Sequence, residues 1–264
     1  MNSPIFIDTH THLDFDRFDA DREEVIRRAH EANVAAMITI GIDYKTSLAA
    51  IRIAEEHSNI YASVGVHPHD AANMTDEQFA ELSELLSHPK VVAVGEVGLD
   101  YHYDYSPRDT QRRVFRRFLS LAREHQMPVI IHTREADEDI LATIKEQGRS
   151  NWQGVFHCFS SDDNMAKKVL DLGFNISFTG TVTFKNSDSL DVAKSVPLDR
   201  IMIETDCPFL APMPKRGKRN EPAFVVYIAQ KIAEAKQMST DEFAQATTLN
   251  ALRFFNIKLQ RQDA

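Results

Sequence analysis

His10 and His12 stand two apart at the end of a short apolar run, Ile5-Phe6-Ile7, that reads as a buried strand. Side chains alternate along a strand, so residues two apart face the same side. Two imidazoles converging where a strand stops can share one cation, because neutral imidazole suits zinc, nickel, iron and copper. Alone, such a pair also fits two polar residues in a turn. The rest of the chain changes that balance. His67 and His69 follow the third apolar run, Glu96 the fourth, His132 the fifth, His157 the sixth and Asp206 the eighth. Eleven histidines scattered at random would not favour this register. Imidazole nitrogen and carboxylate oxygen are the ligands that borderline and hard divalent cations take. Four histidines and two carboxylates suffice for a pair of cations if one carboxylate bridges. Paired cations about 3.5–4 Å apart activate a water and steady both oxygens of an in-line displacement.

The runs that must position these residues are Ile5–Ile7, Ala35–Ile40, Ile60–Val66, Val91–Val94, Val129–Ile131, Val155–Phe156, Phe174–Phe178 and Ile201–Ile203. Between them the pattern is helical. Asp21–Ala32 carries Val25, Ile26 and Ala29 on one face, and Asp109–His125 carries Val114, Phe115, Phe118, Leu121 and Ala122 at i, i+3, i+4, i+7 spacing. Thr75-Asp76-Glu77-Gln78 outlines a capping box, and Ser239-Thr240-Asp241-Glu242 offers two registers for another. Continuous apolar strands separated by helices mean a parallel sheet covered on both faces. Eight such units in 264 residues match a (β/α)8 barrel, whose active sites sit at the C-terminal ends of the strands. A doubly wound sheet competes, but no glycine-rich phosphate turn follows the first strand. The expectation is one barrel domain over residues 1–264, closing with two helices in Pro222–Asn256, Pro222 standing at a first helical position. Beyond Ile257 a frayed polar tail is expected.

Composition narrows the partners. The chain is 43% hydrophobic and 26% charged, with a net charge of −9. That excess of acid opposes non-specific adhesion to nucleic acid, while a local basic patch can still take phosphate. No apolar run approaches a membrane span, and no signal-peptide pattern opens the chain, so a cytoplasmic location is expected, with a monomer as the default state. Cys158 and Cys207, the two cysteines, are too few for a thiolate zinc cluster, and no structural disulfide is expected of them.

Several segments resemble the TatD family of metal-dependent deoxyribonucleases. They are Asp8–Asp14, Gly65–His69, Gly95–Tyr101, His157–Ser160, Glu204–Leu210 and Arg216–Pro222, which follow one another in the family's order. The resemblance implies a (β/α)8 barrel of the metal-dependent hydrolase superfamily. It also implies that His10, His12 and Asp206 hold one divalent cation, that His132 and His157 hold a second, and that Glu96 bridges them. Related amidohydrolases often bridge with a modified lysine. Here the fourth strand has none at its C-terminal end, since Lys90 precedes it. The activity implied is 3′-5′ exonuclease action on DNA, with single strands preferred and Mg, Mn or Zn as the metal.

Around this set, Asp206 is expected both to bind a cation and to take a proton from the attacking water. Glu204 fits either a partner of a ligand or an ion pair. His67 is expected to meet a substrate phosphate, with His69 a second candidate beside it. Arg134, two residues after His132, can grip a phosphate bidentately. The run Lys215-Arg216-Gly217-Lys218-Arg219 is expected to form a phosphate-binding loop, Arg219 being equally able to pair with Glu221 or another carboxylate. Tyr101-His102-Tyr103-Asp104-Tyr105 can stack bases or simply pack as a loop. His30, His57, His88 and His125 fall in helices or at helix ends and read as surface residues. A competing function is hydrolysis of a carbon–nitrogen or ester bond, such as D-aminoacyl-tRNA deacylation, in which the cations polarise a carbonyl. A binding protein with an idle metal site is the alternative of another class.

Overall fold

The structure, a computed structural model, describes residues 4–148 and 153–259. Its strands are β1 (Phe6–Thr11), β2 (Val34–Ile40), β3 (Ile60–Val64), β4 (Val91–Asp100), β5 (Val129–Arg134), β6 (Gly154–Phe156), β7 (Asn175–Phe178) and β8 (Ile201–Ile203). They pair in parallel in chain order. Between successive strands lie α1 (Arg22–Glu31), α2 (Tyr44–Glu56), α3 (Asp76–Leu85), α4 (Arg108–Glu124), α5 (Asp137–Glu146), α6 (Asp163–Asp171) and α7 (Ser189–Ser195). α8 (Val225–Ala235) and α9 (Thr240–Phe254) follow, the two helices expected at the end of the chain. Just past β8, the Asp206 N–H donates to His10 O and the His12 N–H to Cys207 O, each at 2.9 Å. These bonds join the last strand to the first and nearly close the (β/α)8 barrel. No helix among the described residues is long and apolar enough to cross a membrane.

Strand alternation divides the core into an outer and an inner layer. Phe6, Met37, Val91, Val129, Ile131, Ile201 and Ile203 pack with helix residues such as Phe115, Phe118 and Ile228. Their neighbours Ile7, Ile38, Val92, Ile130, Val155 and Met202 form a separate inner cluster with Phe254, Phe255 and Ile257. The end of α9 therefore plugs the N-terminal mouth of the barrel. The C-terminal mouth is left to polar side chains.

Three strands run further than the apolar runs suggest, to Thr11, Asp100 and Arg134. His10, Glu96 and His132 accordingly lie within strands, not after them, because parallel ladders continue through polar residues. Irregular pairing in β1 and β4 accompanies them. In β1, Asp8 pairs with Met37 and Thr11 with Thr39, and the extra residue turns His10 and His12 inward. In β4 the pairing shifts twice, between Val91 and Ala93 and between Val94 and Val97, and Glu96 keeps the inward face of Val92. Bulges beside active sites commonly re-aim a side chain, as in β1.

The proposed caps also resolve. Thr75 and Gln78 form a capping box on α3, and Ser239 with Glu242 supplies the one on α9. Pro222 opens a 3-10 turn, Pro222–Phe224, that leads into α8. The tail expected to fray lies, from residue 260 on, outside the described residues. One glycine is demanded by close approach: at Gly98, with φ +153°, a Cβ would sit 1.9 Å from His132 O on β5. Gly98→Ala is expected to cost about 3 kcal/mol through backbone strain and overpacking, read as a lower free energy of unfolding in urea.

Candidate metal centre

Glu96 sits at the middle of the C-terminal mouth with an imidazole on nearly every side. Its Oε1 lies 2.7 Å from His132 Nδ1, 2.7 Å from His157 Nε2 and 3.5 Å from His67 Nε2. Its Oε2 lies 3.4 Å from His10 Nε2. Asp206 completes the other flank, with Oδ1 3.3 Å from His12 Nε2 and 3.7 Å from His10 Nε2. The His10 and His157 rings stack at 4.0 Å between the two groups. The structure thus gathers His10, His12, Glu96, His132, His157 and Asp206 into one cluster and adds His67 to it. His10, His12, Glu96 and His157 are buried, whereas His67, His132 and Asp206 are half-buried and mark the open side.

Strand direction explains the convergence. His132 continues the inward face of Ile130, His157 that of Val155, and Glu204 and Asp206 that of Met202. Glu96 continues the inward face of Val92, and His10 and His12 arrive by way of the bulge in β1.

The donor set suits a divalent cation. Both ring nitrogens of His10 and the Nδ1 of His12 are buried without a hydrogen-bond partner. Such orphaned atoms are rare and cost about 1–3 kcal/mol each, so a cation that accepts the one lone pair each neutral ring offers relieves a real penalty. Close sets with ligating atoms in reach are His10–His12–Glu96, His10–His157–Glu204 and His67–Glu96–His132. Burial, and then the neighbouring His157, push the His10 pKa down. Burial and His132 do the same, more strongly, to His67. Burial would raise Glu96, but His157 and His67 outweigh it and hold the carboxyl well below its usual range. Asp206 is likewise ionised, since His12 and His10 overcome its burial.

Further carboxylates brace the ligands. Asp100 Oδ2 lies 2.9 Å from His69 Nε2 and 3.3 Å from His132 Nε2, on the far side of that ring from Glu96. Its place was readable, because residues 96, 98 and 100 share a strand face, but an expected strand end at Val94 hid it. Glu204 accepts the Cys158 N–H at 2.6 Å and lies 3.4 Å from His157 Nδ1, so it partners that histidine. Asp8 takes the Thr205 N–H at 2.9 Å and its hydroxyl at 2.6 Å, and burial pushes its carboxyl up to about 8. Asn220 donates to Thr205 O and Phe209 O, holding the loop that carries Asp206.

The outlying candidates separate. Arg134 is exposed at the end of β5, its guanidinium 4.7 Å from the Tyr103 ring centre. Arg219 was expected to meet a phosphate or to pair with Glu221 or another carboxylate, and the structure shows the last of these, with Asp21 as the partner. Its Nη1 and Nη2 bond Asp21 at 2.8 and 2.7 Å, while Arg28 takes Glu221 at 2.7 Å. A bidentate carboxylate already in place leaves that guanidinium no free fork for phosphate. His30, His57 and His88 are half-buried, His125 is exposed, and none joins the cluster.

A family model described as TatD related DNase matches residues 7–256. A Bacillus subtilis protein named uncharacterized metal-dependent hydrolase YabD is 48% identical over 254 residues, spanning 96% of this chain and all of its own. A protein from Rahnella named 3′-5′ ssDNA/RNA exonuclease TatD is 35% identical, over 93% of this chain and 96% of its own. The crystal structure of YJJV, a TatD homologue from Escherichia coli, superposes with a TM-score of 0.90 at 31% identity. It covers 96% of this chain and 98% of that one. Agreement over nearly the whole length, on the same barrel, means that this chain belongs to the TatD related DNase family of metal-dependent hydrolases.

Proposed function

We propose that the protein hydrolyses phosphodiester bonds in DNA with two divalent cations, working from the 3′ end of single strands. The observation that carries this is Glu96, whose two oxygens face separate histidine groups, His132 with His157 on one side and His10 on the other. In this assignment His10, His12 and Asp206 would hold one cation and His132 and His157 the other, with Glu96 shared between them. Cations bound there lower the pKa of a water and neutralise charge on the phosphoryl oxygens, Mg, Mn and Zn all suiting these ligands. Asp206, ionised and partly open to solvent, accepts the proton of the attacking water. His67, on the open side beside Glu96, is assigned to a phosphate oxygen of the substrate. Arg134 at the rim takes a neighbouring phosphate. The name of the Rahnella relative supports single-stranded substrate and 3′-5′ polarity.

The test is to strip the metal and offer 3′- and 5′-labelled single-stranded DNA with Mg, Mn or Zn in turn. Metal-dependent release of mononucleotides from the 3′ end is the expected result. Protein that binds metal yet leaves DNA intact would overturn the proposal and direct attention to aminoacyl-tRNA esters. Asp100→Asn is expected to weaken metal affinity about 10–100-fold, because its contact on His132 Nε2 orients Nδ1 toward Glu96. A chelator-competition titration reads that change directly.

A further inference from the structure

Two aromatic surfaces rim the cluster on opposite sides of the C-terminal mouth, one after β4 and one after β8, four strands apart in a ring of eight. After β4, Tyr103 and Tyr105 stack at 5.4 Å and 19°, both packing edgewise on His69. His69 in turn lies 6.4 Å from His132, ring centre to ring centre. After β8, Phe209 packs on Phe15 at 5.9 Å and lies 6.5 Å from His12. Tyr105 is 69% exposed, Tyr103 46% and Phe209 44%. Each surface has an arginine over it, Arg134 at 4.7 Å from Tyr103 and Arg17 at 5.9 Å from Phe209. Unlike Arg219, neither guanidinium pairs with a carboxylate among the described residues.

We infer that these surfaces stack unpaired nucleobases on the two sides of the scissile phosphate, Tyr105 offering the open face after β4 and Phe209 the one after β8. This rests on the centre being one that cuts DNA. Exposed rings at a polar mouth are what flat apolar ligands seek, and every base has a π-face. The free arginines supply charge for the flanking phosphates. A duplex already spends its base faces on its own stacking, so the arrangement selects single strands.

The experiment compares wild type with Tyr103→Ala/Tyr105→Ala, Tyr103→Phe/Tyr105→Phe and Phe209→Ala, all metal-loaded. Stopped-flow quenching of 2-aminopurine in a single-stranded oligonucleotide reads stacking before any cleavage. Steady-state rates are taken on the oligonucleotide and on bis(p-nitrophenyl) phosphate, a diester without bases. Expected are quenching by wild type, and a loss of affinity of about tenfold in each alanine variant. The fall in kcat/KM on the oligonucleotide should exceed that on the small diester by a similar factor. The phenylalanine pair should restore binding, since it keeps the π-faces. Absence of quenching in wild type, or alanine variants that bind as tightly as wild type, overturns the inference. So does an equal loss on both substrates that phenylalanine does not restore, which marks loop packing instead. Wild type that quenches, and loses quenching in the alanine pair, yet cuts only the small diester would keep the stacking surfaces and sink the DNA-cutting reading alone.

Discussion

Glu96→Gln is expected to lower metal-dependent hydrolysis about 10³-fold, or about 4 kcal/mol of transition-state stabilisation. The amide keeps the shape of the side chain but removes its charge and one of its two acceptor oxygens. Glu96 Oε1 now faces His132 and His157 at 2.7 Å each, while Oε2 faces His10 at 3.4 Å. A glutamine can turn its one carbonyl oxygen to only one of those groups, and its NH2 then repels a cation at the other. The fall should appear in kcat with unchanged circular dichroism, and with fewer metal ions per chain by mass spectrometry. Full activity in this variant would remove Glu96 from the centre.

Asp206→Asn is expected to reduce kcat about 10²–10⁴-fold, the range over which a positioned general base acts. His12 and His10 keep the Asp206 carboxyl ionised against its burial, and its side chain is 15% exposed, so a water can reach it. Asparagine preserves the volume beside His12 Nε2 but cannot take a proton. The effect should divide differently from that of Glu96→Gln: kcat falls while KM for the oligonucleotide changes little. A loss confined to KM would make Asp206 a binding group.

Much of the barrel could be read from the chain because its strands are short apolar runs at regular spacing, each followed by an amphipathic stretch. His132, His157 and Asp206 were placed by the same rule, since each stands an even number of residues after an inward apolar neighbour. His10 obeys it only through a bulge, and a bulge leaves no signature in residue type. Asp100 was hidden because β4 continues six residues past its expected end. The partner of Arg219 is 198 positions away, on the far side of a barrel closure that no local pattern encodes. Of the four cations in the run from Lys215 to Arg219, Arg219 is a brace on Asp21.

The most direct measurement is a Mn²⁺ titration of metal-stripped protein, following release of 3′-terminal nucleotides from single-stranded DNA at each addition. The expected rate climbs from zero and levels off at two equivalents per chain, with no response in Glu96→Gln. Cleavage before any metal is added, or two bound equivalents with the DNA left whole, would contradict a two-cation phosphodiesterase.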